Sequence, residues 1–256
     1  MATDDLDNDA GAAFDGLNHI PIVVSDRPAC GLHMRPVGIK LQCSNIKPWH
    51  IDEAVACLHW THTVRKRFHR DISYSNLLLC PADWRRGESD LSESLAVLLV
   101  DWEMSVPMGD VRANNAQDGT VLTMSQGQLS ANIIAGSGKR PYDSYRPSFK
   151  YTVQDELEAM VKSVLLILSP ALKIRVKHQA SSAWRGAEVE RYRQLHRLWK
   201  SVLPANVLAL CKEHRYEELA RWLKRALLHF DPEEEPPRGM RRVNWQAILA
   251  IGGTGL

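Results

Sequence analysis

Between residues 153 and 168, apolar side chains recur at helical spacing and crowd more than one face: Val153, Leu157, Met160, Val161, Val164, Leu165 and Leu168. A helix with so wide an apolar surface is covered on several sides, so the rest of the chain must supply the layers around it. Pro170 predicts its end. Three further helical patterns follow, at residues 189–202, 207–211 and 219–230, the last closed by Asp231 and Pro232. One comes earlier, at residues 51–66, where Ile51, Ala54, Val55 and Leu58 share a face just after Pro48. Strand signals are sparse. Residues 19–24 and 31–41 read as two short strands with a bend at 36–38, and the apolar runs 77–79 and 95–100 read as a hairpin around a polar loop. Residues 103–150 show no periodicity and read as one long loop. The expected class is α+β, mostly α.

Composition narrows the function classes. The 256 residues suffice for one large domain or two small ones, and 45% apolar with 24% charged residues is a globular balance. The longest apolar runs are too short to cross a bilayer, and the opening MATDDLDNDA has neither a basic nor an apolar signal region. The cysteines, Cys30, Cys43, Cys57, Cys80 and Cys211, are odd in number and widely spaced, which favours a reducing compartment over a disulfide framework. The expected location is intracellular, cytoplasmic or nuclear, with no membrane partner. The first 26 residues hold six Asp and no Lys or Arg, leaving 32 basic against 24 acidic residues on the remainder. Residues 1–18 read as a disordered acidic segment. No basic stripe with interleaved aromatics points to nucleic acid. His59 and His62, near Cys57, fall short of the ligand set zinc needs and read as ordinary helix residues.

The residues that carry chemistry lie in the string Phe68-His69-Arg70-Asp71-Ile72-Ser73-Tyr74-Ser75-Asn76-Leu77-Leu78-Leu79. His-Arg-Asp with an Asn five positions after the Asp arises by chance in a chain of this length on the order of 0.002 times. Asp101 stands at the end of the second hairpin strand. Phosphoryl transfer needs an acceptor hydroxyl held in line with the phosphate and a divalent ion on the phosphate oxygens. A carboxylate at the hydroxyl orients its proton, and Asp71 fits that role. A second carboxylate and an amide oxygen supply hard ligands for Mg²⁺, and Asp101 and Asn76 fit those.

The string resembles the protein-kinase signature H-R-D-x-x-x-x-N, followed here by Asp101-Trp102-Glu103 in the place of D-F-G. Gly119-Thr120 resembles the G-T of a kinase activation segment, and Asp155-Glu156-Leu157-Glu158 the start of the central helix of the large lobe. The combination is similar to fungal-type protein kinases and to the kinase-like domains of crinkler effectors, over about residues 30–230. The resemblance implies ATP and Mg²⁺ as cofactors, with Asp71, Arg70 and Asn76 as catalytic residues. Asn76, Leu78 and Asp101 would bind the cofactor, and Asn76 and Asp101 the metal. It also implies that His69 and Trp102 pack in the lobe, that Arg70 meets the activation segment, that Thr120 faces the substrate, and that Asp155 braces the catalytic-loop backbone. Ser125-Gln126-Gly127 replaces A-P-E, so the buried Glu of that motif is absent. Glu103 replaces a Gly, Ser73 stands where a Lys is common, and residues 80–94 lengthen the hairpin loop.

Upstream the pattern thins. A kinase small lobe needs at least about 65 residues. Of the 68 residues before His69, 18 belong to the acidic segment, and residues 44–66 to the helical part. No G-x-G-x-x-G occurs there, and the first Lys is Lys40. The expected architecture is therefore a protein-kinase-like C-terminal lobe with a truncated or missing N-terminal lobe. It divides into small-lobe strands and hinge at 19–46, a helical lobe at 47–230 and a polar tail at 231–256. A partner chain or upstream exon would supply the rest. The expected function is transfer of the ATP γ-phosphate to protein Ser or Thr. Two alternatives stand beside it: a catalytically dead kinase fragment acting as a binding module, and a small-molecule kinase of the aminoglycoside or choline type.

Overall fold

The central helix forms as its stripe requires, and more of it is covered than the stripe alone demands. In the computed structural model, which describes residues 22–27, 31–35, 38–81, 95–136, 149–182 and 188–228, helix α3 (Val153–Leu168) is buried at every residue from Asp155 onward. The expectations for residues 1–18, for the 231–256 tail, for most of the long hairpin loop and for the first two bend residues lie outside the described residues. Leu157, Met160 and Val161 are fully enclosed. So are Glu156, Glu158, Lys162 and Ser163, and buried polar groups of this kind demand partners.

Around α3 stand α1 (Pro48–Thr63), α4 (Pro170–Ser182), α5 (Glu188–Val202), α6 (Ala205–Lys212) and α7 (Tyr216–Leu228). Each turns an apolar stripe inward. Ile51, Ala54, Val55 and Leu58 do so on α1, Tyr192, Leu195 and Trp199 on α5, and Leu219, Trp222, Leu223 and Ala226 on α7. Helix α4 corrects the expectation that Pro170 only ends a helix. Ser169 takes extended dihedrals before the proline and its Oγ accepts the Leu172 N–H at 3.1 Å, so Pro170 becomes the first residue of a new helix. A second correction concerns residues 103–150. They contain helix α2 (Gln126–Gly136), opened by a reciprocal cap in which Gln128 N–H donates to Ser125 Oγ and Ser125 N–H to Gln128 Oε1.

Strands β1 (Ile22–Arg27) and β2 (Gly31–Arg35) pair antiparallel as one ribbon. Strands β3 (Ile39–Lys40), β5 (Leu77–Pro81) and β6 (Leu95–Leu99) form an antiparallel sheet in the order β3-β5-β6, and β4 (Arg67–Phe68) pairs with β7 (Val106–Pro107). The hairpin is in the expected place. Leu77 faces Leu99 and Leu79 faces Val97, and these four sit in the main core. Cys80, Ala96 and Leu98 form a small cluster on the other face, with Leu78 against it. Strands buried on both faces explain the unbroken apolar runs. Glu53 of α1 accepts the Val97 N–H at 2.8 Å and ties the helix to β6. The molecule is thus α+β and mainly helical, and among the described residues no helix is long and apolar enough to cross a membrane.

Replacing Leu157 by Ala is expected to lower unfolding stability by about 2–5 kcal/mol. The same change at Leu228, 73% exposed, should cost under about 0.5 kcal/mol. Urea melts of the two variants test this ordering.

Candidate active site

The loop between β4 and β5 carries the signature string, and three separate parts of the chain fix it. From below, α3 holds its backbone: the Arg70 N–H donates to Glu156 Oε1 at 2.6 Å. The expectation named Asp155 for this role. The structure gives it to Glu156, because Asp155 points to the helix start, where it accepts the Thr152 N–H at 2.8 Å and the Ser125 hydroxyl. The other Glu156 oxygen, Oε2, lies 2.6 Å from His62 Nε2, and His62 Nδ1 lies 2.8 Å from the Tyr216 hydroxyl. His62 therefore has both ring nitrogens engaged. Among the described residues no group of three His, Cys, Asp or Glu is arranged to hold a metal ion.

From the side, the hairpin holds His69, which is fully buried with Nε2 3.0 Å from the Val100 carbonyl and its ring against Trp102 at 4.5 Å. Trp102 in turn donates its indole N–H to the Leu99 carbonyl at 2.8 Å. Burial pushes the His69 pKa below its ordinary value, against the upward pull of Glu156, Asp71 and Asp101.

From above, the segment around Gly119 closes on the loop. Asp71 Oδ1 accepts the Thr120 N–H at 2.6 Å, and Asp71 Oδ2 accepts from Asn76 Nδ2 at 3.1 Å. The same Asn76 nitrogen donates to the Asp71 carbonyl at 2.9 Å. Gly119 has φ +95°, and a Cβ there would stand 2.6 Å from the Arg70 carbonyl oxygen, so only glycine allows the approach. The buried Arg70 guanidinium pairs with Asp118 and approaches the Asn115 carbonyl at 3.5 Å. Arg70 and Asp101 themselves take positive φ, +71° and +67°, a strained conformation that tends to gather at functional sites.

The structure thus brings Asp71, Asn76 and Thr120 into direct contact. Asp101 follows Val100, whose N–H donates to the Asn76 carbonyl at 3.0 Å, and its side chain is exposed. With its amide nitrogen committed to Asp71, Asn76 has its side-chain oxygen left to ligate a hard cation. An amide oxygen and a carboxylate are hard donors of the kind Mg²⁺ takes when phosphate and water complete its shell. Leu78 sits on β5 opposite Lys40. A Cβ on Gly38 would come within 2.7 Å of it, so the β3 backbone passes directly over this side chain.

Residues 124–126, leading into α2, are held by α3. Glu158 accepts the Gln126 N–H at 2.8 Å and pairs with Lys162 at 2.7 Å. Lys162 also donates to the Met124 carbonyl. Burial holds the Lys162 amine below its usual pKa while Glu158 raises it. Trp199 of α5 donates to the Leu122 carbonyl at 2.9 Å. Burial raises the thiol of Cys57 to about 12, that of Cys80 to about 11 and that of Cys211 further still, which disfavours the thiolate at these three positions. A cavity of about 800 Å³ lies between α1 and α7, lined by His59, Tyr216 and Lys224 among others, and none of Asp71, Asn76 or Asp101 lines it.

No family model matches the sequence, and no curated protein matches it. Among solved structures, a chain of the yeast RNA polymerase II CTD kinase complex aligns over 88% of this chain and 79% of its own, with 12% identity and a TM-score of 0.41. A likeness of that size fixes neither fold nor activity.

Gly119→Ala should cost about 1–3 kcal/mol, because strain at positive φ adds to the clash with the Arg70 carbonyl. Chemical denaturation measures it. His69 is depressed on folding, so its contribution to stability is present above the unfolded value of 6.5 and is lost as pH falls below it. Urea melts at pH 7.5 and 5.5 should show a fall in stability that shrinks in His69→Gln.

Proposed function

We propose that the chain is a kinase-like phosphotransferase that moves the γ-phosphate of Mg²⁺-bound ATP to a Ser or Thr hydroxyl of a protein. The observation that supports it most is the setting of Asp71. One oxygen is fixed by the Thr120 N–H and the other by the Asn76 amide, on a loop whose backbone is held by a buried carboxylate. A carboxylate so fixed can accept the proton of an acceptor hydroxyl as its oxygen bonds to phosphorus and the bridge to ADP breaks. In this reading Asn76 and Asp101 hold the metal on the phosphates, and Leu78 underlies the adenine. Arg70 keeps the 118–120 segment beside Asp71, where Thr120 meets the acceptor. A docked segment with its Gly-Thr pair favours a protein acceptor over a small molecule, although Asp101-Trp102-Glu103 also resembles the ending found in aminoglycoside and choline kinases.

A second reading, a binding module without activity, is favoured by one observation. The sequence before His69 has no G-x-G-x-x-G, and its first lysine, Lys40, comes just before the helical region. Phosphate clamping is a large part of catalysis in this chemistry, and losing it is severe.

Mg²⁺–ATP at a hundred times its dissociation constant should stabilise the protein by about 2.7 kcal/mol in thermal melts, and Asp101→Ala should abolish the effect. Asp71→Asn should keep nucleotide binding and lose about 10²–10⁴-fold in transfer to a generic protein substrate. Undiminished transfer in Asp71→Asn refutes its role. No stabilisation at millimolar nucleotide favours the binding module, and consumption of choline or an aminoglycoside favours the third class.

A further inference from the structure

Helix α4 carries Lys173, Arg175, Lys177 and His178 and no carboxylate along its length. Leu172, Val176 and Ala180 are buried and fix the helix against the core, and Lys173 and Lys177 stand one turn apart beside that face. Lys173 Nζ lies 3.9 Å from the centre of the Tyr74 ring, and Tyr74 follows Asp71 by three residues in the same loop. Lys40, exposed at the end of β3, is the sheet partner of Leu78, four residues after Tyr74. Burial, then the charge of Lys177, then that of Lys40 hold the Lys173 amine below its usual pKa. Among the described residues no carboxylate pairs with Lys40, Lys173, Arg175 or Lys177. Three like charges converging without neutralisation are unfavourable in the free protein and suit an anionic occupant.

We infer that Lys173, set against Tyr74, together with Lys177 on the same helix and Lys40 at the end of β3, receives the carboxylate side chains of an acidic peptide whose hydroxyl is presented to Asp71. The inference rests on the reading of Asp71 as the group that meets the acceptor. Nucleic acid suits the site less well, because the Tyr74 face that would stack a base is covered by Lys173.

Fluorescence anisotropy of labelled Ser peptides on the full chain tests the surface without relying on transfer. A Glu-flanked peptide should bind about tenfold more tightly than its Gln-flanked counterpart, and the advantage should shrink as salt rises. The pair Lys40→Glu and Lys177→Glu, both at exposed positions, should erase the preference and admit a Lys-flanked peptide. Lys173→Gln should weaken the preference in a protein whose melting profile stays cooperative. Equal affinity for the Glu and Gln peptides overturns the inference, as does an unchanged preference in the double variant. Tighter binding of a single-stranded RNA of equal charge, lost in the same variant, overturns it in favour of a nucleic-acid surface. Transfer is scored separately. Preference without transfer rejects the phosphotransferase reading and upholds the acidic-peptide surface; transfer without preference rejects the surface alone.

Discussion

The Glu156 carboxylate is the constraint on which the rest of the site depends. It is buried in the middle of the molecule, with one oxygen on the Arg70 N–H and the other on His62. An ionised carboxylate in such a place survives only with both oxygens engaged, and removing a partner from a buried pair costs about 3–5 kcal/mol. The cost works in both directions. The helix keeps its charge buried because the loop is there, and the loop keeps an otherwise unfavourable positive φ at Arg70 because the helix holds its backbone. Asp71 is the next residue along, so its direction is set by this contact before any ligand arrives.

A second set of buried polar contacts from the same helix holds the segment that closes over the loop. Asp155 takes the Ser125 hydroxyl, Glu158 the Gln126 N–H, and Lys162 the Met124 carbonyl. Pairing Lys162 with Glu158 leaves neither charge alone in the interior. The two anchoring systems meet at Gly119, where the segment presses on the Arg70 carbonyl and the Thr120 N–H reaches Asp71. The geometry of one aspartate therefore depends on contacts from α3, from the hairpin and from the segment around Gly119.

Much of this was legible in the residues. The stripe at 153–168 located the central helix, the paired apolar runs located the hairpin, and the spacing of Asp71 and Asn76 marked a pair that does meet through an amide hydrogen bond. What escaped had physical reasons. Asp155 and Glu156 are adjacent, and which of them faces the loop depends on helix rotation and on the competing demand of Thr152 at the helix start. Helix α2 buries Gln128 and Asn132 beside Leu129, so its inner face is partly polar and gives little periodicity. The Ser-x-x-Gln cap at Ser125 was the available signal, and it was masked by comparison with A-P-E. Helix α4 hides a narrow stripe of Leu172, Val176 and Ala180 among cations. The ion pair Glu158–Lys162 is an ordinary i, i+4 pair in sequence, and only its burial sets it apart.

Because α3 presents Glu156 to the loop and Glu158 and Lys162 to the covering segment, the angular phase of a single helix sets the spacing between two otherwise unrelated stretches of backbone. Each residue advances an α-helix by about 100°. An insertion or deletion of one residue within α3 ahead of Glu156 would swing all three side chains off their targets together. The helix behaves as an indexed camshaft, intolerant of any change in count.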